Sequence, residues 1–358
     1  MPGNFLKLIE HLTFTEYQQI AGPDWPSFET IKTGNNIPEF IIDELTQMLV
    51  VPPPPVVRVN YVEFYITNVC NMTCGDCRSF NNFNFKGHYE FDEAMYQAWA
   101  DRADVESYNI LGGEPLLHPR LTQWVEGTRR LWPRAFAKID TNGTHIAKVK
   151  NLHQLLVDNQ YSLCINMHNP GKRQELWQDI ALAFGPCEPV DRLDPRIHFN
   201  RTDSVALSNR SDMSEYLLTE QGLTLEIRPT TAFQPTPASS TNWKQLVDGA
   251  GTAESIYLGD AERSHKTCVG KTCHVMRDGK FYKCALVATL PEFLQQKKIQ
   301  WPDERLYQYQ PLTADNFTYE GYQQMQNTIP QCAFCLSGTV DTVSISLSDI
   351  KRKKSILL

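Results

Sequence analysis

Apolar residues recur at helical spacing from Phe5 to Ile20 and again from Ile37 to Val50, which predicts an N-terminal helical extension. Pro52 to Pro55 then stiffen the chain into an extended segment, a natural boundary. From Val57 the pattern changes. Short apolar runs, Tyr61 to Ile66, Tyr108 to Leu111, Ala135 to Asp140, Ser162 to Met167, Ile197 to Asn200 and Leu223 to Arg228, alternate with helical stretches such as Glu93 to Arg102 and Leu121 to Leu131. Strands and helices in alternation build a parallel sheet covered by crossover helices. The expected fold class is α/β, a partial (β/α)6 barrel with ligands at the C-terminal strand ends. Further on, a hairpin turns at Arg277-Asp278-Gly279-Lys280 and returns through Phe281-Tyr282. These patterns divide the chain into 1-55, helical extension and proline-rich linker; 56-240, partial barrel; 241-340, a small α+β domain; and 341-358, a tail. In the tail, Val343 to Leu347 alternates like an edge strand and Lys351 to Lys354 form a basic run.

With 358 residues, 41% hydrophobic and 21% charged, the chain can bury one large core and a smaller appendage. A net charge of -7 argues against broad affinity for nucleic acid, although a local basic groove, for instance around Arg129 and Arg130, would not show in a sum. No apolar run reaches membrane-spanning length, and the start MPGNFLKLIEHLTF lacks the features of a secretory leader. No membrane partner and a cytoplasmic location are the expectation.

The ten cysteines then supply the chemistry. Cys70, Cys74 and Cys77 follow the first strand at gaps of three and two residues, and such a loop can wrap one face of a 4Fe-4S cube while leaving the fourth iron without a protein ligand. A structural zinc would want four ligands, and His88 is too distant in sequence to complete a compact knuckle. Disulfides would leave one of the three unpaired. Towards the C-terminus, Cys268, Cys284, Cys332 and Cys335 make a possible four-thiolate site for a second cluster or for zinc, with Cys273 competing for the place of Cys268. Cys164 and Cys187 read as buried small apolar residues. Gly112-Gly113-Glu114-Pro115 closes the second strand, where the glycines let backbone approach a ligand and Glu114 offers an acceptor to an ammonium group. Asp140-Thr-Asn142-Gly143 closes the third strand, and Asn166, His168 and Asn169 the fourth. Glu226 and Arg228 are read either as barrel-floor or substrate residues or as members of structural ion pairs with other residues.

The C-x3-C-x2-C loop after a strand, together with GGEP, resembles the signature of the radical S-adenosylmethionine superfamily. The resemblance implies a [4Fe-4S] cluster on Cys70, Cys74 and Cys77, and S-adenosylmethionine held near Gly112, Gly113, Glu114, Pro115, Asn142, Asn166 and His168. It also implies reductive cleavage to a 5'-deoxyadenosyl radical that abstracts hydrogen from substrate, with an electron from a flavodoxin or ferredoxin. The residue before the third cysteine, commonly aromatic in that family, is here Asp76, so Phe80 or Phe83 is expected to supply the apolar face for adenine. Gly279 to Cys284 is similar to the G-x4-C of its twitch and SPASM auxiliary domains, which implies a second [4Fe-4S] cluster. NNFNFKG, ILGGEPLLHP, PLTADNF and IPQCAFC look like bacteriophage-encoded members, which would place the protein in a host cytoplasm. That likeness implies isomerisation of an amino-acid-decorated thymine during DNA hypermodification. The alternatives are a peptide maturase that forms crosslinks or oxidised residues, and a non-catalytic iron-sulfur scaffold or redox sensor.

Overall fold

The computed structural model describes residues 56–74, 77, 79–81, 85–191, 214–229, 232–233, 259–268, 271–301, 303–335 and 343–344, and, within the first fifty, 9, 12, 17, 21, 25–33, 37–42 and 45. The chain forms two compact units, Met1–Val56 and Val57–Leu358. In the first, helix α1 (Phe28–Thr33) buries Ile31, which clusters with Ile9, Leu12, Tyr17, Ile37, Ile41 and Leu45. Lys32 on α1 donates its ammonium to the carbonyls of Ile9 (2.8 Å) and Leu12 (3.1 Å), tying the start of the unit to the helix.

The second unit is built on a mixed, mostly parallel sheet. Its described strands are β1 (Val57–Val59), β2 (Val62–Thr67), β3 (Ala103–Val105), β4 (Ser107–Gly112), β5 (Phe136–Thr141), β6 (Tyr161–Met167), β7 (Cys187–Val190), β8 (Glu215–Thr219), β9 (Thr224–Pro229), β10 (Ala232–Phe233), β11 (His274–Arg277), β12 (Lys280–Tyr282) and β13 (Val343–Ser344). The large sheet has nine strands in the order β12-β11-β2-β4-β5-β6-β9-β8-β7. From β11 to β9 every neighbour is parallel, whereas β12, β8 and β7 are antiparallel to theirs. Helices α2 (Glu93–Ala100), α3 (Leu121–Leu131), α4 (Leu152–Asp158) and α5 (Arg173–Phe184) lie between the parallel strands in sequence.

Strand alternation splits the sheet into two faces. Phe64, Ile66, Tyr108, Ile110, Ile139, Leu163, Ile165, Leu225 and Ile227 pack with Tyr96 and Trp99 of α2 and Trp124 of α3 in the main core. Phe64, fully buried, sits at its centre with ring centroids 5.3 Å from both Tyr108 and Trp132 and 5.9 Å from Tyr96. The opposite face is polar. In register across it run Glu63, Asn109, Lys138 and Ser162, then Asp140, Cys164 and Glu226, then Asn166 and Arg228.

Leu225 pairs directly with Leu163, and antiparallel β8 and β7 continue the sheet beyond β9; the anticipated strand Ile197–Asn200 lies outside the described residues. The C-terminal hairpin has no sheet of its own. Its β11 pairs with β2, His274 opposite Val62 and Met276 opposite Phe64, because the edge of β2 offers unpaired backbone to an apolar strand. Gly279 at the hairpin turn has φ +66, and a Cβ there would lie 2.2 Å from Met95 Sδ, while its carbonyl accepts from Trp99 Nε1 at 2.9 Å. Pro52 to Pro55 and Lys351 to Lys354 lie outside the described residues.

Phe64→Ala is expected to lower the unfolding free energy by roughly 3–5 kcal/mol, because it empties the centre of the aromatic cluster. A urea unfolding curve whose midpoint stays at the wild-type value would contradict this packing.

Candidate active site

The cysteine loop leaves the sheet at an irregularity. The register between β2 and β4 shifts between Tyr65 and Thr67, where Thr67 pairs with Gly112. Gly112 has φ +154, and a Cβ built there would lie 2.4 Å from the carbonyl oxygen of Thr67; at Gly113 it would lie 2.3 Å from that of Val69. These glycines are required for contact with the chain that leads into Cys70. Gly113 N donates to Thr67 O at 2.7 Å and Glu114 N to Val69 O at 2.8 Å.

Glu114 is fully buried. Its Oε1 accepts from Leu116 N (3.0 Å) and Thr141 Oγ1 (2.7 Å), and its Oε2 from Asn142 N (2.7 Å). Burial pushes its carboxyl up to about 7 against the pull of these donors, Thr141 foremost. The side chain that the sequence offers to a ligand is thus engaged within the protein, joining the ends of β4 and β5. Pro115 opens a short 3-10 turn, Pro115–Leu117. Asn142 closes the circle. Its Nδ2 donates to Asn71 Oδ1 at 2.8 Å and lies 4.0 Å from Cys70 Sγ, and its Oδ1 accepts from Thr144 N at 3.0 Å. Asn166, half-buried near the end of β6, is in register with Arg228; His168, also half-buried, follows that strand.

Cys70 and Cys74 are 8% and 9% exposed and pack with Met72 and the partly buried Cys77 as one cluster. Met72 N donates to Cys70 Sγ at 3.4 Å, and Cys77 Sγ approaches Asn81 Oδ1 at 3.4 Å. Among the described residues no three His, Cys, Asp or Glu side chains close on the position of a single ion. A four-iron cube does not ask for that, because each thiolate takes a separate iron at a separate corner. The donor set at the loop, three adjacent sulfurs with an amide N–H already directed at one, fits such a cube. Asp76, Arg78 and Phe83 lie outside the described residues. Phe80 is not an open apolar face: it is fully buried and stacked 4.9 Å from Phe293, so a place against adenine is ruled out by its packing.

The C-terminal cysteines are placed by three elements. Helix α6 (Ala261–Thr267) ends at Cys268, helix α7 (Ala285–Lys297) starts after Cys284, and Cys332 lies in the 3-10 segment Pro330–Phe334. Gly259 N donates to Ala333 O (2.7 Å) and Ser264 Oγ to Cys335 O (3.0 Å), which docks α6 on that segment. Burial pushes the Cys284 thiol up to about 11, and the charges of Cys268 and Cys332 act in the same direction. Lys283, 4% exposed, is lowered by burial and raised again by Cys332, Cys284 and Cys268. Cys335 and Cys284 pack on one apolar cluster with Phe80, Phe85, Phe293 and Phe334. Cys273 immediately precedes β11. Cys164 is fully buried, and Cys187 half-buried.

Sequence reading missed the group that links these two regions. Asn68 Nδ2 donates to Tyr89 Oη (2.8 Å) and to Glu292 Oε1 (3.2 Å) of α7, Tyr89 Oη donates to Glu292 Oε2 (2.7 Å), and Arg277 of β11 binds Glu292, Tyr89 Oη and the Ala288 carbonyl. Its members are up to 224 residues apart and ordinary in type, so no spacing could reveal them. Glu226 and Arg228 pair with each other at 2.8 Å, and Ser214 Oγ donates to Glu226 Oε1 at 3.0 Å.

No family model matches the sequence and no curated protein matches it. Among solved structures, the crystal structure of BtrN in complex with AdoMet and 2-DOIA is 21% identical over 34% of this chain and 52% of that chain, with a TM-score of 0.27. Native anSMEcpe with bound AdoMet is 16% identical over 35% of this chain and 40% of that one (TM-score 0.28). Streptococcus suis SuiB is 12% identical over 89% of this chain and 82% of its own (TM-score 0.32). The matched part is thus about half of the BtrN chain and less of anSMEcpe. TM-scores of this size do not establish a common fold, and the site stands on this chain's own residues.

Two outcomes are expected. Gly113→Ala drives a methyl group into the Val69 carbonyl, so Cys70 and Cys74 of the iron-free protein should react with a maleimide at least several-fold faster than in wild type. Glu114 titrates near 7 in the folded chain against an ordinary 4.5, so the folded state holds the extra proton between those values and stability falls as pH rises through that window, by up to roughly 3 kcal/mol, then levels off. Urea midpoints at pH 5 and pH 8 should show this fall as the difference between wild type and Glu114→Gln; parallel pH profiles would refute it.

Proposed function

We propose that this chain is a radical S-adenosylmethionine enzyme. The observation that carries the reading is the packed trio Cys70, Cys74 and Cys77 at the C-terminal end of β2, backed by Gly112-Gly113 and bordered by Asn142. A [4Fe-4S] cluster on these three thiolates, with S-adenosylmethionine on its open iron, would supply reductive cleavage to a 5'-deoxyadenosyl radical and hydrogen abstraction from substrate. The protein's part is to hold and orient. Glu114 fixes the β5 end through Thr141 and Asn142, and Asn142 in turn holds Asn71 beside Cys70. The partly buried backbone of the diglycine turn and the polar groups of Asn142, Asn166 and His168 are the proposed contacts for S-adenosylmethionine. A flavodoxin or ferredoxin is the proposed electron donor.

Cys268, Cys284, Cys332 and Cys335 are proposed to hold an auxiliary [4Fe-4S] cluster. What supports this is that the charges of Cys268 and Cys332 act on the Cys284 thiol, with Cys335 on the same apolar cluster as Cys284. Cys273 stays the alternative to Cys268. The proposed substrate is an amino-acid-decorated thymine of phage DNA, rearranged by an isomerase. Its amino-acid part carries both charges, and the polar face of the sheet offers a guanidinium at Arg228 and carboxylates at Glu226 and Asp140, the latter with a buried Oδ1 lacking a partner.

Anaerobic reconstitution tests this. Wild type should bind about eight irons and form 5'-deoxyadenosine with dithionite and S-adenosylmethionine. Cys74→Ala should keep about four irons and form none, and Cys284→Ala should lose about four while the N-terminal cluster's spectrum persists. Full iron loading of wild type without cleavage would replace the enzyme reading with that of a scaffold.

A further inference from the structure

The polar face ends, at the N-terminal edge of the strands, in a cavity of about 440 Å³. That is the end opposite the cysteines. Its walls come from the starts of β4, β5, β6 and β9, the turns that enter them and the helices α3 and α4, and its volume lies in the range of small-molecule sites. The lining is one-sided in charge. Among the described residues it includes Arg129, Arg134 and Lys138 and no acidic side chain, in a chain whose net charge is -7.

Each basic group is placed differently. Arg129 is half-buried and spends its guanidinium on backbone carbonyls: Nε on Asn159 (2.6 Å), Nη1 on Ala135 (2.8 Å) and Pro133 (3.1 Å), and Nη2 on Gln160 (2.8 Å). Among the described residues no carboxylate comes within 4.0 Å of it, so its full positive charge is set into the wall by neutral partners. Lys138, 5% exposed, lies on the polar face between Asn109 and Ser162. Arg134 stands at the exposed rim beside Phe136, which is 47% exposed, and pairs there with Asp104 at 3.4 Å. Thr224, 2% exposed, adds a hydroxyl with no hydrogen-bond partner to the same wall. Positive charge in a concave site with low-dielectric walls concentrates the field on whatever enters, and lysine and arginine answer best to carboxylate and phosphate oxygens.

We propose that this cavity binds a small organic or inorganic anion bearing a phosphate or carboxylate group. The site is separate from the cysteine end and does not depend on the reading given to the cysteines. Calorimetric titration of the full chain with inorganic phosphate and, separately, with succinate, in chloride buffer of matched ionic strength, tests it and tells the two sources apart. Saturable binding of either anion is expected, equal in iron-loaded and iron-free protein, and weakened at least tenfold in Lys138→Met and in Arg134→Glu. If the buried Lys138→Met chain fails to fold, the rim variant Arg134→Glu decides alone. Binding of neither anion, or binding that Arg134→Glu leaves unchanged, would overturn the proposal.

Discussion

The close approach of Gly112-Gly113 to the backbone of Thr67 to Val69 is the contact on which the cysteine end depends. With room for no Cβ on either glycine, β4 can follow β2 past its last regular pair and bind the outgoing chain through Gly113 N and Glu114 N. Cys70 is therefore launched from a fixed point rather than from a free loop. Glu114 carries that fixity sideways, to β5, and Asn142 returns it to Asn71 beside the first cysteine. The circuit is made of backbone amides and one buried carboxylate with three donors. Such a network is costly to leave half made, because each orphaned group would keep its desolvation penalty.

A second constraint joins this end to the C-terminal segment. Asn68, one residue past β2, is bound by Tyr89 and Glu292, and Glu292 is bound by Arg277. Arg277 is buried while the Glu292 side chain is 32% exposed, so loss of Glu292 would leave a buried guanidinium with its charge unmatched. Phe80, just after Cys77, is stacked on Phe293 of α7 in the cluster that also touches Cys284 and Cys335. The segment that follows the first cysteine group thus shares one apolar cluster with Cys284 and Cys335, while Cys70, Cys74 and Cys77 form a cluster of their own. A shift of the hairpin or of α7 would be felt at Asn68 before it reached the solvent.

The strands that the sequence predicts well are those whose two faces differ in chemistry. Phe64, Ile110, Ile139 and Leu163 recur on one face and polar groups on the other, and their alternation marks β2, β4, β5 and β6 to within a residue or two. Partnership is what the pattern cannot give. His274 to Arg277 reads the same whether it builds a separate domain or extends β2, and only the free edge of β2 decides. Glu215 to Thr219 likewise carries no mark of pairing antiparallel to β9. The site follows the same division. Closely spaced cysteines and a diglycine can be read because their chemistry is local, whereas the roles of Glu114 and Phe80 are set by Thr141, Asn142 and Phe293, which lie far away in sequence.

What remains unusual is the amount of charge on the inner face of the sheet. Glu226 is 1% exposed and Lys138 5%, and a buried ion pair seldom outweighs the desolvation of its members, so an apolar face of equal volume would be as stable or more so. Glu226 is satisfied by Arg228 and Ser214, but Asp140 keeps one buried oxygen without a partner while the other accepts from Asn109 at 3.0 Å. A cost retained on one face only, between a cysteine-rich end and a basic end, is not explained by folding, since the opposite face already supplies the aromatic core. The polar ligands proposed for the two ends of that face would account for it.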